Sequence, residues 1–197
     1  MHTVSTSVER GYHHGELRTA LVGAALELLA EAGADALSLR AVARRAGVSA
    51  MAPYRHYADK EALLAAVAAH GFGGLREVLA AADREPAALV AQAVAYVRYA
   101  LQHAALFRLM FGARRLDVSP ELTVARDAAY AVLADRVAAE TPVQRDREAR
   151  VLGCWSLVHG LALLFLDGRI GEKTETPAGE VTRRVAEAML RPVLGPV

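Results

Sequence analysis

Apolar residues recur every three or four positions along almost the whole sequence, and no stretch alternates with period two for long enough to form a half-buried strand. The pattern dictates an all-α chain. Leu17, Leu21, Ala25, Leu28, Leu29 and Ala32 mark a first helix from Glu16, with Gly33 placed to end it in a left-handed conformation. Ser38 is an N-cap for a short helix carrying Leu39, Val42, Ala43 and Ala46 on one face and ended by Gly47. Ser49 is placed to cap another, over Ala50 to about Tyr57, and Asp59 a long one running from Lys60 towards Ala82. Gly71, Gly73 and Gly74 predict a kink or break in its middle, since each costs about 0.8 to 1 kcal/mol relative to alanine. Further helices are expected beyond Pro86, around Phe107 to Phe111, from Pro120 to about Glu140, through Val151 to Leu166, and from Pro177 to about Leu190, about nine in all.

At 197 residues, 54% hydrophobic and 23% charged, the chain can bury one large core or two small ones. Cys154 is the single cysteine, which excludes an intrachain disulfide framework and suits a reducing compartment. Residues 1–14 hold no apolar stretch of signal-peptide length, and the longest apolar run, Val151 to Leu166, is short for a bilayer span. The cytoplasm, away from any membrane, is the expected location.

The formal charge of +1 gives no whole-chain argument for a nucleic-acid partner, so any such argument is local. From Ser38 to Lys60 the basic residues Arg40, Arg44, Arg45, Arg55 and Lys60 face Asp59 alone, while Glu61 to Val197 holds 16 basic and 16 acidic residues. Within that basic island, two short helices joined at Gly47 have the form of a helix-turn-helix. Leu39, Val42 and Ala46 supply the buried support, leaving the second element free for a major groove. Tyr54, His56 and Tyr57 interleave with Arg55 and offer polar groups for phosphates. Lys60 opposes the dipole of the helix it starts, an arrangement that a bound phosphate would reverse in sign and that Asp59 would otherwise neutralise. The chain has no asparagine, a preferred bidentate reader of adenine.

The stretch Tyr12-His-His-Gly-Glu-Leu-Arg18, the first helix, Ala46-Gly-Val-Ser49, and Tyr54, Tyr57, Lys60 and Glu61 at their spacing together resemble the N-terminal domain of TetR-family transcriptional regulators. Trp155-Ser-Leu-Val-His159-Gly160 resembles the Trp…His-Gly signature of one C-terminal type in that family, called WHG. The resemblance implies a helix-turn-helix DNA-binding domain over residues 1–64 and a helical effector-binding and dimerisation domain over residues 65–197. It implies a homodimer on double-stranded operator DNA, released by a small-molecule effector. Ser38, Arg40, Ser49, Ala50, Met51, Ala52, Tyr54, Arg55, His56 and Lys60 would then meet DNA, with Tyr57 packing inward and His13 and His14 in an N-terminal arm. Pro53 and Met51 depart from the family pattern, which usually has an aliphatic and a small residue there.

No histidine or cysteine spacing makes a zinc site, and no cofactor or metal is expected. Neither a G-x-S-x-G elbow nor a phosphate-cradling glycine loop is present, so an enzyme is not expected. An α-helical small-molecule binder or enzyme with a vestigial DNA reader is the competing reading. Phe72, Tyr96, Tyr99, Phe107, Phe111, Tyr130 and Trp155 are first of all core residues, some of which would line an effector cavity. His103 and His159, with Tyr130, would supply its polar contacts, although a histidine on an apolar helix is more often simply hydrogen-bonded core. Cys154 reads as a small buried residue, and Arg114 and Arg115 as a loop pair without a site. Val151 to Leu166, apolar all round, and the last helix are expected to build a four-helix dimer interface.

Overall fold

The structure, a computed structural model, describes residues 14–112, 116, 119–141, 144–170 and 176–190. His13, Arg114 and Arg115 lie outside them. The described residues hold eight α-helices and no strand: α1 (His14–Ala32), α2 (Leu39–Arg45), α3 (Lys60–Ala82), α4 (Ala88–Gln102), α5 (Ala104–Phe111), α6 (Pro120–Glu140), α7 (Gln144–Leu166) and α8 (Ala178–Met189). Gly33 ends α1 at φ 77°, as its placement predicts, and Gly168 follows α7 at φ 69°.

One expected helix is absent, and the reason is Pro53. In place of an α-helix over Ala50 to Tyr57 the chain makes a turn and a single 3-10 turn, Pro53–Arg55. Proline has no N–H to give the Ser49 carbonyl, so the bonds close one residue short. The Ala52 N–H reaches the Ser49 backbone oxygen at 2.9 Å, and the His56 N–H reaches Pro53 at 2.9 Å. The residue at the start of the 3-10 turn is Ala52, which has no polar side chain to cap it, in place of the cap expected of Ser49.

Of the kink or break expected at Gly71, Gly73 and Gly74, the break does not occur: α3 runs as one helix for 23 residues. A Cβ on Gly71 would stand 2.6 Å from the Met110 sulfur and 3.1 Å from Leu106, and one on Gly74 would stand 3.0 Å from the Tyr99 hydroxyl. The two glycines let α4 and α5 approach the α3 backbone, and the packing offsets their helix cost. Tyr99 completes the contact by donating its hydroxyl to the Gly71 carbonyl at 2.7 Å.

α3 is the axis of the molecule. It packs most extensively along α6 and also against α4, α5 and α1. One core cluster extends from Leu21, Val42 and Tyr57 through Val67 and Phe107 to Leu161 and Ala186, past residue 64, where the two expected domains meet. α7 is longer than its apolar run, so both α3 and α7 have the length and composition to cross a bilayer. α3 spends that apolarity on the core, and α7 buries only Val151, Cys154, Val158, Leu161 and Ala162.

Candidate nucleic-acid interface and effector cavity

The helix-turn-helix is held from behind by its own sequence. Ser38 caps α2 by accepting the Ala41 N–H at 3.1 Å. Gly47, at φ 68°, turns the chain so that the Val48 N–H reaches the Ala43 carbonyl at 3.0 Å. Asp59 caps α3 by accepting the Ala62 N–H at 2.8 Å. Pro53 and Tyr57 are buried, so the second element turns Ala50, Met51, Tyr54 and Arg55 outward, with Ala52 and His56 half-buried. Met51 is 68% exposed and Tyr54 44%.

Not all of the local positive charge faces outward. Arg45 pairs with Glu27 at 3.1 Å and Glu31 at 2.8 Å on α1, and its guanidinium holds the Glu31 carboxyl below the usual range. Arg40, Arg44 and Arg55 are exposed and make no ion pair among the described residues. The Lys60 ammonium donates to the Asp35 carbonyl at 3.0 Å, tying the α1–α2 connection to the start of α3. Two of its three protons remain for another acceptor. Ser38, Arg40, Arg44, Met51, Tyr54 and Arg55 are therefore all exposed around one compact support.

Arg18 of α1 donates to Glu121 at the start of α6, which ties the N-terminal helices to the helices behind them.

Behind α3 lies a partly enclosed cavity of about 330 Å³, at the small end of the usual range for ligand sites. Of the residues expected there, Phe72, Tyr96, Phe111, Tyr130 and Trp155 line it. Tyr99, His103, Phe107 and His159 do not. Tyr99 is turned onto the α3 backbone, with the ring of the exposed His103 against it at 4.6 Å, and Phe107 is wholly buried. His159 stands one layer back, its Nδ1 2.9 Å from the Tyr96 hydroxyl. Burial lowers the His159 pKa and raises that of Tyr96, so both are neutral at pH 7.

The wall also includes residues that the aromatic search passed over. Gln92 lies one turn before Tyr96 on α4, and Arg126 one turn before Tyr130 on α6, so helical spacing from the aromatic anchors points to both. Gln92 donates to Asp83 at 2.8 Å, and Asp83 receives Arg136 at 2.7 Å. This network joins the end of α3 to α4 and α6, and Arg136 holds the Asp83 carboxyl below the usual range. Among the described residues, the charged ones in the wall are Arg126 and Asp127, which are exposed and pair with each other at 3.3 Å. Cys154 also lines the wall, and burial pushes its thiol up, away from thiolate reactivity. No group of three metal-ligating side chains exists among the described residues.

Leu152 and Leu164 of α7 are each 45% exposed, and Met189 of α8, 68% exposed, lines a shallow groove with Gly153, Ser156 and Leu157 of α7. Gly153 and Gly160 on α7 have open space where a Cβ would stand.

Two family models match the sequence: "Bacterial regulatory proteins, tetR family" over residues 21–67 and "Tetracyclin repressor-like, C-terminal domain" over residues 89–189. The chain belongs to the TetR family. The first match covers the helix-turn-helix of this TetR-family protein, and the second covers most of its cavity wall. The C-terminal match does not single out the WHG type. Among solved structures, a protein of unknown function from Rhodococcus sp. RHA1 is 34% identical, with a TM-score of 0.79 over 93% of this chain and 98% of that one. A bacterial regulatory protein of the tetR family from Rhodococcus RHA1 is 25% identical, with a TM-score of 0.64 over 89% and 96%. The TetR-family transcriptional regulator PfmR from Thermus thermophilus, 23% identical with a TM-score of 0.61 over 88% and 98%, shares the fold. Comparison with curated proteins gives no match.

Proposed function

We propose that this TetR-family transcriptional regulator works as a cytoplasmic homodimeric repressor, released from palindromic operator DNA when a small, uncharged, mostly apolar molecule fills the cavity behind α3. The observation that carries the reading is the continuity of α3. One unbroken helix starts at Lys60 beside the DNA-reading element and carries Phe72, Leu75 and Leu79 of the cavity wall. A ligand that fits the cavity better in one tilt of α3 than in another biases the position of the DNA reader, and equal affinity for both would shift nothing.

The chemistry of the wall supports an uncharged effector, because its titratable interior groups are neutral and its only charges are an exposed pair. The exposed face of α7 and α8 supports a dimer, since Leu152, Leu164 and Met189 have no partner within the described chain. Two DNA readers related by a twofold axis would meet an inverted repeat with half-sites about one helical turn or slightly more apart. The Arg40, Arg44, Arg55 and Lys60 side chains supply the phosphate contacts in each subunit, while Ser38 and Tyr54 add hydroxyls. Arg45 is committed to α1.

A mobility shift with DNA from around the gene's own start, at two salt concentrations, tests the reading. Affinity should fall steeply with salt, as expected for several neutralised phosphates. Salt-independent binding, or no binding at either concentration, would instead favour a helical small-molecule binder with a vestigial reader.

A further inference from the structure

The DNA-reading element lacks the side chains that read most base edges. Between Ser49 and Tyr57 there is no Asn, Gln, Asp, Glu or Lys, so neither bidentate recognition of adenine by an amide nor acceptance from a cytosine amino group by a carboxylate is available there. Arg55, Tyr54 and His56 are its only side chains with hydrogen-bonding groups besides the hydroxyls of Ser49 and Tyr57, and Tyr57 is buried. The element's most exposed large apolar side chain is Met51, 68% exposed, one turn before Tyr54. A lone exposed methionine on an ordinary surface needs no explanation. This one stands on the outward side of a helix-turn-helix, between the buried support formed by Pro53 and Tyr57 and whatever the exposed Arg40, Arg44 and Arg55 attract.

The major groove offers one apolar feature, the C5 methyl group of thymine. An unbranched thioether reaches farther than alanine and adapts its torsions to such a contact. Resting on the DNA-binding reading, we infer that Met51 is a specificity-determining residue that reads a thymine methyl at one symmetric position in each operator half-site. Ala50, also exposed, is too short to replace it. Discrimination at that position comes from burial of methyl surface rather than from hydrogen bonds. It is therefore modest per half-site and doubled by the twofold axis.

The test uses the full-length protein and a duplex selected by it from random sequence. Each thymine in the selected site is replaced symmetrically by deoxyuridine, which removes only the methyl group. At about 0.8 kcal/mol per buried carbon, loss of one contact is roughly a fourfold weakening, and loss of both is ten- to fifteenfold. The expected result is one symmetric thymine pair with that effect for the wild type and no effect there for Met51→Ala. A Met51→Leu protein, which retains an apolar side chain of similar volume, should keep most of it. No methyl-sensitive thymine, or a methyl effect undiminished in Met51→Ala, would overturn the inference while leaving DNA binding intact. Failure to select any DNA would overturn the DNA-binding reading itself, and the inference with it. Since Met51 is exposed and Ala is a good helix and turn neighbour, the variant's fold is checked simply by an unchanged helical circular dichroism signal.

Discussion

α3 and α7 are of equal length, 23 residues each, both largely apolar and both interrupted by glycine, yet they solve different problems. Gly71 and Gly74 of α3 are pressed by Met110, Leu106 and Tyr99 from the same chain. Gly153 and Gly160 of α7 meet nothing, and Leu152 and Leu164 beside them are exposed. A glycine therefore marks close approach in both helices only if α7 has a neighbour that the single chain does not supply. α3 is complete within one subunit, and under the proposed dimer α7 is half of a structure.

The contrast is broken most forcefully on α7. Leu164→Asp should place two unpaired carboxylates in the proposed interface and raise the dimer dissociation constant at least a hundredfold, read by sedimentation, with helical content retained. A stable wild-type monomer at micromolar concentration would remove the dimer altogether. Leu161, at first sight an equivalent target, is 8% exposed inside the subunit, so an aspartate there should unfold the protein rather than separate it.

Next comes α3. Gly71→Val should lower unfolding stability by about 1 to 3 kcal/mol in urea titration, because its branches meet the Met110 sulfur and Leu106. Gly160→Val should leave the stability of a dissociated subunit nearly unchanged, and equal losses at the two sites would erase the comparison.

A smaller effect separates packing from hinging. Gly73 has no neighbour within 4 Å of an added Cβ, so Gly73→Ala should stabilise α3 by up to about 1 kcal/mol without a clash. A fall in thermal midpoint, or a changed affinity for the selected DNA, would restore the glycine segment as a flexible joint.

The smallest expected effect is a pH dependence. Burial lowers the His159 pKa below its unfolded value of about 6.5, so the unfolded chain binds the proton more readily. His159 therefore favours the folded state fully above pH 6.5 and loses that contribution as pH falls through its folded value. His159→Gln should flatten the decline of stability on that acid side, measured by urea midpoints at successive pH values.

The sequence carries whatever is local and periodic. The caps at Ser38 and Asp59 and the glycine end at Gly33 are legible because each depends on neighbours a few residues away. Pro53 defeats the same logic, since side-chain spacing continues through it while a backbone donor is lost. The helix cost of Gly71 is visible in sequence, but its compensation by Met110 depends on how α5 is laid across α3. In the cavity, five of the expected aromatic residues reach the wall. Tyr99 and Phe107 do not, because the rotation of α4 and α5 about their own axes decides which aromatic faces the space.

The placement of Trp155 has an optical consequence. It is the only tryptophan in the chain, it lines the cavity, and its ring stands 5.8 Å from that of Tyr130. All indole emission from the molecule therefore originates at the site where an effector would sit. Tyrosine excitation from Tyr130 and Tyr96 is transferred into that same ring. Occupancy of the cavity can be read from the unlabelled protein, with the signal and the wall residue being one and the same group.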